Sequence, residues 1–168
     1  AIEYHQMLVE IKIKNFASFA EEQIFSMIPN KTIKNHKEIL LCNNKNKPIL
    51  LPTAIILGAN ASGKSNLLKS FEFLNKCLTT GLIAKSGTLV DDFWDNGLGA
   101  PYFMYNSKYK DIPTEITISY YRNGFVYEYA LHTKGTIIQK ESLIANEDKN
   151  KNVKNRQTIL RLIGEKQK

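Results

Sequence analysis

Residues 58–65 read Gly-Ala-Asn-Ala-Ser-Gly-Lys-Ser, and the interpretation of the whole chain starts from this octet. It is a complete G-x-x-x-x-G-K-[ST] pattern, which is typical of a loop that binds the phosphates of a nucleotide. The preceding apolar and β-branched run, Thr53–Leu57, predicts a buried strand that ends at Gly58. The following segment, Asn66–Leu78, repeats apolar residues at helical spacing. The order strand, glycine-rich loop, helix is the setting that the motif requires.

Each residue type in the loop has a chemical role toward a triphosphate. Gly58 and Gly63 permit backbone conformations and close approaches that a Cβ atom would block. The amides between them form a nest for the β-phosphate, and the helix that starts near Gly63 adds its unpaired N–H groups. Lys64 supplies a mobile positive charge, and the Ser65 hydroxyl is the expected ligand of a Mg²⁺ ion. The predicted nucleotide-binding residues are Gly58, Asn60, Ala61, Ser62, Gly63, Lys64, Ser65 and Asn66.

Composition indicates a globular domain rather than a disordered or membrane-spanning chain. The 168 residues can bury one core, and an apolar content of 43% is ordinary for a folded protein. No run of about 18 apolar residues predicts a membrane span, and no secretory signal is recognisable. Cys42 and Cys77 lie far apart, without metal or redox spacing, and are interpreted as buried thiols in a reducing cytoplasm.

The chain carries a formal net charge of +7, much of it in lysine clusters that are interleaved with asparagine. These clusters lie at residues 31–37, 45–47 and 149–156. Neutralisation of nucleic-acid phosphates is one explanation for such clusters. Because few aromatic residues interrupt them, they suggest no platform for stacked bases, and solvated loops are the favoured interpretation.

Patterns of β-rich residues predict strands on both sides of the loop and its helix. The predicted strands are Leu8–Lys14, Glu22–Ile28, Glu38–Cys42, Thr136–Ile144 and Thr158–Ile163. In addition, Thr114–Tyr121 and Phe125–Leu131 flank an Asn-Gly pair and predict a hairpin. Residues 81–111 combine glycine with aromatic residues and predict an irregular, packed connection.

The predicted fold class is α/β with α+β character. We expect a mixed sheet in which a β-rich antiparallel layer lies beside the phosphate-loop strand, with one main helix after the loop. Residues 1–6 carry no pattern and are interpreted as a remnant that precedes a native start near Met7. Residues 7–168 are then expected to form a single lobe.

Two segments together resemble a known arrangement. They read Ile-Lys-Ile-Lys-Asn-Phe-Ala-Ser-Phe over residues 11–19 and Leu-Gly-Ala-Asn-Ala-Ser-Gly-Lys-Ser-Asn-Leu-Leu over residues 57–68. This pair resembles ABC-like ATPases of the SMC and recombination-repair type. The resemblance is closer to the AAA-type ATP-binding proteins of prokaryotic phage-defence and abortive-infection operons, which are relatives of the OLD nucleases. It covers most of residues 8–163 and implies the N-terminal lobe of a P-loop NTPase that binds ATP and Mg²⁺.

The resemblance also implies positions for the base and sugar of the nucleotide. The residues that it places near the adenine and ribose are Lys14, Asn15, Phe16 and Ser18. The same residue types fit a strand end with core phenylalanines equally well. Both interpretations stand at the level of the sequence.

The hydrolysis motifs of the family are not recognisable in this chain. ABC-like ATPases also carry a signature motif, an apolar run that ends in Asp-Glu, and a switch histidine. Asp91 and Asp92 follow only two apolar residues and are interpreted as a helix cap or loop, while Gln139 is too weakly placed for the Q-loop glutamine of the family. The histidines without catalytic or ligand spacing are His5, His36 and His132. The resemblance therefore implies that the catalytic residues, which are unknown, lie in a missing C-terminal part.

The resemblance finally implies partners. In the relatives, ATP lies between the phosphate loop of one subunit and the signature motif of another, so a homodimer on ATP binding is expected in a cytoplasmic protein. It would control a nucleic-acid-directed or other defence effector. Two alternatives remain, a small self-contained phosphotransferase similar to a nucleotide kinase and a non-hydrolysing module that binds a partner through ATP. A phosphotransferase is disfavoured because Arg122, Arg156 and Arg161 form no lid-like pattern.

Overall fold

The computed structural model describes residues 6–30, 41–42, 48–80, 102–103, 105–135, 137–147 and 156–163 of the chain. The strands in these residues are β1 (Met7–Lys14), β2 (Gln23–Ser26), β3 (Leu41–Cys42), β4 (Pro48–Leu50), β5 (Thr114–Arg122), β6 (Phe125–Lys134), β7 (Ile137–Glu147) and β8 (Arg156–Ile163). One α-helix, α1, spans Lys64–Thr80, and a 3₁₀ helix spans Ser107–Asp111. The described part of the chain is therefore of mixed α and β structure, as the sequence predicts.

The larger sheet is antiparallel throughout. Its strand order is β2-β1-β5-β6-β7-β8, and every neighbouring pair runs antiparallel. β3 and β4 form a separate two-stranded sheet. The predicted antiparallel layer and the single main helix are thus confirmed. Of the predicted strand Glu38–Cys42 and the predicted connection 81–111, residues 38–40, 81–101 and 104 lie outside the described residues.

The hairpin between β5 and β6 forms as its turn residues predict. The two strands pair from Thr114 opposite Thr133 to Arg122 opposite Phe125. The turn residues Asn123 and Gly124 have φ angles of 51° and 87°. Such left-handed angles are what a tight two-residue hairpin requires, and Asn and Gly adopt them more readily than other residues. A local signal was therefore enough to fix the register of the central strands.

The core lies between one face of the sheet and α1. Its buried strand residues are Ile11, Ile13, Ile116 and Leu131. They share a face because side chains alternate along a strand, and this face receives Phe73 and Leu74 of the helix. The ring of Phe16, just after β1, lies 5.8 Å from the ring of Phe73, centroid to centroid. This packing sets the position of α1, and with it the position of the loop that precedes the helix.

Asn15 ties the end of β1 to a segment almost a hundred residues later. Its side chain is fully buried, and its Nδ2 donates to the carbonyl oxygens of Tyr109 and Ile112 at 2.9 and 2.7 Å. Its Oδ1 accepts from the backbone N–H of Phe103 at 2.9 Å. Its carbonyl oxygen accepts from the Thr114 hydroxyl at 2.7 Å. Because a buried amide must be hydrogen-bonded, these contacts give Asn15 a structural role.

Replacement of a core phenylalanine tests this packing. Phe73→Ala is expected to lower the free energy of unfolding by about 3–5 kcal/mol, because the lost ring leaves a cavity between α1 and the sheet. Glu72→Ala, at the exposed neighbouring position, is the control and is expected to change stability by less than about 0.5 kcal/mol. Urea unfolding followed by circular dichroism measures both variants. Equal effects of the two substitutions would contradict the packing described.

Candidate functional site

The octet at 58–65 forms a turn that leads directly into α1. The backbone N–H of Ser62 donates to the carbonyl oxygen of Ala59 at 3.3 Å, which closes the turn. The helix begins at Lys64, so the last two residues of the octet lie in its first turn. The N–H groups of a first turn have no acceptor within the helix, and the positive end of the helix dipole lies there. The predicted loop and helix junction is confirmed.

Two residues of the octet adopt left-handed backbone angles. Ala61 and Gly63 have φ angles of 62° and 93°. Successive amides in alternating right-handed and left-handed conformations point to a common side and form an anion-binding nest. Ala61 is unusual in this respect, since non-glycine residues with positive φ are uncommon and often belong to functional segments.

The turn that follows β1 supports the loop. Phe16 and Phe19 exchange two backbone hydrogen bonds of 2.9 and 2.8 Å across this turn. The Ser18 hydroxyl accepts from Asn66 Nδ2 at 2.8 Å, which links the turn to the first turn of α1. A Cβ atom on Gly63 would lie 2.8 Å from Cε1 of Phe19. The tight fit explains why a residue without a side chain stands at position 63.

Of the four residues that the resemblance places near the adenine and ribose, one contacts the first turn of α1 and three have structural contacts elsewhere. Ser18 contacts the first turn of α1 through Asn66. Phe16 packs in the core and Asn15 holds the 103–114 segment, as the alternative interpretation from residue types predicts. Lys14 pairs with Glu115 at 3.1 Å on the sheet. Phe19, which the sequence did not single out as a site residue, lies beside Gly63 and lines the cavity next to the loop.

Lys64 folds back over its own loop. Its Nζ donates to the carbonyl oxygens of Gly58 and Ala59 at 2.7 and 2.6 Å. The Ser62 hydroxyl lies 3.4 Å from the same ammonium group. These are charge-assisted hydrogen bonds, and they hold the charge across the mouth of the loop. Since a phosphate group carries full negative charge, it competes for this ammonium group more strongly than neutral carbonyl oxygens do.

A cavity of about 340 Å³ opens beside the loop. Phe19, Ile24 and Phe25 contribute apolar wall, and Ile56 and Lys64 lie on the loop side. Within the described part of the chain, none of the residues that line this cavity is acidic. The site therefore combines an apolar surface with a positive charge and a helix N-terminus, which suits a ligand with a flat apolar part and an anionic part.

The prediction of a buried strand at Thr53–Leu57 is wrong. This segment forms no strand, and the side chains of Ile55 and Leu57 are 82% and 87% exposed. A run of consecutive apolar residues is buried only where strands flank it on both edges and layers cover both faces. Within the described part of the chain the six-stranded sheet ends at β2, so the segment has no such neighbours. The mixed sheet predicted from the sequence is consequently antiparallel in the described residues.

The other polar residues considered in the sequence form no second centre. Asp91, Asp92, His5 and His36 lie outside the described residues. His132 is half-buried on β6, and burial lowers its pKa. Gln139 is exposed on β7. In the described ranges no group of three or more His, Cys, Asp or Glu side chains is placed to hold a metal ion. Ser65, the predicted Mg²⁺ ligand, is exposed in the first turn of α1.

Cys77 behaves as a structural thiol. It packs against the core, and burial raises the pKa of its thiol to about 12. A thiol with such a pKa is protonated near neutral pH and reacts slowly. The side chain of Cys42 lies outside the described part. Among the described helices, none has the length and apolar character to cross a bilayer.

Comparisons with family models, curated proteins and solved structures find no match for this chain. The family resemblance therefore rests on the residues of the loop and of the opening strand.

Position 63 offers a direct test of the loop geometry. Gly63→Ala is expected to lower the free energy of unfolding by about 1–3 kcal/mol through backbone strain, and further through the clash with Phe19. Gly124→Ala is the matched control, since Gly124 has a similar φ of 87° but no atom within 4 Å of the added Cβ. Thermal unfolding of both variants gives the comparison.

Removal of the Phe19 ring tests whether this ring causes the extra loss of stability in Gly63→Ala. Phe19→Ala in the Gly63→Ala background should recover part of the extra cost, because the clashing ring is removed. Equal destabilisation by Gly63→Ala and Gly124→Ala would show that the turn after β1 does not press on the loop.

Proposed function

We propose that this chain binds ATP with Mg²⁺ through residues 58–66. The observation that carries the proposal is the position of Lys64, whose ammonium group spans the mouth of a turn with left-handed residues at the N-terminus of a helix. These three features together place positive charge and backbone N–H groups at one point. A triphosphate is the ligand class that such an arrangement binds best.

Each part of the nucleotide has a fitting group in this arrangement. The amides of residues 60–64 would donate to phosphate oxygens, and Lys64 would exchange its carbonyl partners for the β- and γ-phosphates. Ser65 would supply one hydroxyl ligand to Mg²⁺, with phosphate oxygens and water as the remaining ligands. The apolar cavity beside the loop suits the flat face of the adenine, with Phe19 in its wall.

We further propose that this chain is the N-terminal lobe of an ABC-like ATPase and that it does not complete hydrolysis by itself. Among the described residues that line the cavity beside the loop, none is acidic, so none of them would supply a carboxylate to activate water. The exposed side chains of Ile55 and Leu57 support the same proposal, because apolar residues directly before a phosphate loop are normally covered by further strands. Those strands, with the hydrolysis motifs, would come from the part of the ATPase that this lobe lacks.

The family resemblance extends the proposal to assembly. In such ATPases a second subunit closes the site, so we propose a homodimer that forms on ATP binding and controls a nucleic-acid-directed or defence effector. A non-hydrolysing module that recruits a partner through ATP is the second candidate. The exposed apolar segment before the loop supports it as much as it supports the ATPase, because a partner protein could cover the same side chains. Both candidates share the nucleotide site at 58–66.

Lys64→Ala tests the nucleotide site. The variant is expected to weaken Mg·ATP binding by about tenfold to a hundredfold, because it loses charge-assisted hydrogen bonds worth roughly 1.5–3 kcal/mol. Its fold should be unchanged, since the hydrogen bonds of the ammonium group to described residues all go to the loop itself. Lys69→Ala, an exposed position one turn further along α1, is the control and should bind like the wild type. Isothermal titration calorimetry measures all three proteins.

The same samples should be assayed for release of inorganic phosphate. Binding that depends on Lys64, without turnover, is the expected result for half of a composite site. Turnover that depends on Lys64 would instead indicate a complete enzyme such as a small phosphotransferase. Unchanged binding in Lys64→Ala would remove residues 58–65 as the site.

A further inference from the structure

A second cavity, of about 640 Å³, lies between the C-terminal half of α1 and the large sheet. The helix contributes Phe71, Leu74 and Leu78 to its wall, and the sheet contributes Ile118, Tyr120 and Leu143. Packed protein cores leave few voids larger than a water molecule, whereas binding sites for small molecules measure about 300–1,000 Å³. The size and the apolar wall are those of a ligand site.

One charged group faces this cavity. The Tyr129 hydroxyl donates to Glu141 Oε1 at 2.7 Å, and both residues line the cavity. Burial raises the pKa of Tyr129, and the hydrogen bond to Glu141 raises it further. The phenol therefore stays protonated and acts as the donor, which leaves Glu141 as the acceptor. Among the lining residues, all within the described part of the chain, no cation accompanies this carboxylate.

Part of the cavity wall is aromatic, since Phe71, Tyr120 and Tyr129 line it. The ring of Tyr120 is held in place by stacking on Tyr127 of the neighbouring strand, with ring centroids 5.1 Å apart and an angle of 10° between the ring planes. Burial raises the pKa of Tyr120, so this ring also remains neutral. Parallel aromatic rings offer a surface on which another planar ring can stack, and the negative face of the ring attracts a positive charge.

We propose that this cavity binds a planar aromatic molecule that carries a positive charge or an amino group, with the rings against the aromatic wall and the charge against Glu141. A carboxylate in an apolar surrounding favours a ligand that supplies a charged hydrogen-bond donor. The cavity is distinct from the one beside the loop at 58–65, because no described residue lines both cavities. It adds a second ligand class to the nucleotide site and does not depend on that proposal.

Proflavine, a planar aromatic cation with two amino groups, is a suitable probe. Fluorescence anisotropy is expected to show saturable binding to the full chain. Glu141→Gln keeps the shape of the side chain and should weaken binding about tenfold, because the charge pair is lost. Acridine has the same ring system but is neutral at mildly alkaline pH, and its binding should change less than about twofold in the same variant.

A second pair of variants tests the location. Leu78→Trp replaces an aliphatic side chain at the wall of the cavity with a bulkier indole ring. This should weaken binding of both probes by about tenfold or more. Leu78 is 56% exposed, so the larger side chain is compatible with the fold. Leu68→Trp is the matched control, since Leu68 is a 64% exposed leucine of the same helix that does not line the cavity. It should bind both probes like the wild type.

Circular dichroism melting of each variant separates loss of binding from loss of folding. No saturable proflavine binding below about 1 mM would overturn the proposal. Binding that is unchanged in Leu78→Trp, or equally weakened in Leu68→Trp, would overturn it as well. Equal weakening of proflavine and acridine by Glu141→Gln would overturn the assigned role of the carboxylate.

Discussion

The packing of α1 on the antiparallel sheet determines where the loop at residues 58–65 lies. Phe73 and Leu74 fix the helix on β1 and β5, and Phe16 holds it at the turn that follows β1. The N-terminus of the helix consequently meets that same turn, where Ser18 bonds to Asn66 and Phe19 limits the space at Gly63. The loop is thus supported by one helix and one turn rather than by a sheet beneath it.

This support has a consequence for the chemistry of the loop. The Lys64 ammonium group donates hydrogen bonds to the carbonyl oxygens of Gly58 and Ala59, and these bonds keep the loop closed on itself. In the proposed complex, a phosphate would replace these neutral acceptors with an anion without moving the helix. Because the ammonium group, the first-turn amides and the positive φ residues are already in place, little conformational entropy would remain to be lost on binding.

The sequence predicted those elements whose signals are local. Asn123 and Gly124 identify the central hairpin because the turn itself requires their backbone angles. The spacing of Leu67, Phe71 and Leu74 identifies α1 because a helix buries one stripe of side chains. Residues 58–65 predict a loop that leads into a helix because the pattern is contiguous and its residues act together within a single turn.

Features that depend on distant partners could not be predicted. The apolar run at Thr53–Leu57 indicated a buried strand, but burial requires neighbouring strands that the described sheet does not provide. The role of Asn15 depends on Tyr109 and Ile112, which lie more than ninety residues away in sequence. The pairing of Tyr129 with Glu141 likewise exists only once β6 and β7 are in register.

Both proposed ligand sites lie along α1. The N-terminus of the helix would face the anion, and Phe71, Leu74 and Leu78 line the apolar cavity. Phe73 and Leu74 also pack in the core. The exposed segment before the loop marks the side on which further structure is proposed to pack. Both proposed functions require nucleotide binding at residues 58–66.

Hydrogen–deuterium exchange with and without Mg·ATP tests that claim directly. If residues 58–66 bind the nucleotide, ATP should slow exchange of the amides from residue 60 to residue 66 and of the turn around Ser18 and Phe19. The hairpin of β5 and β6 should exchange at the same rate in both samples, because it contacts neither the loop nor its cavity. An unchanged exchange rate at residues 60–66, or ATP-dependent protection confined to other segments, would contradict the account.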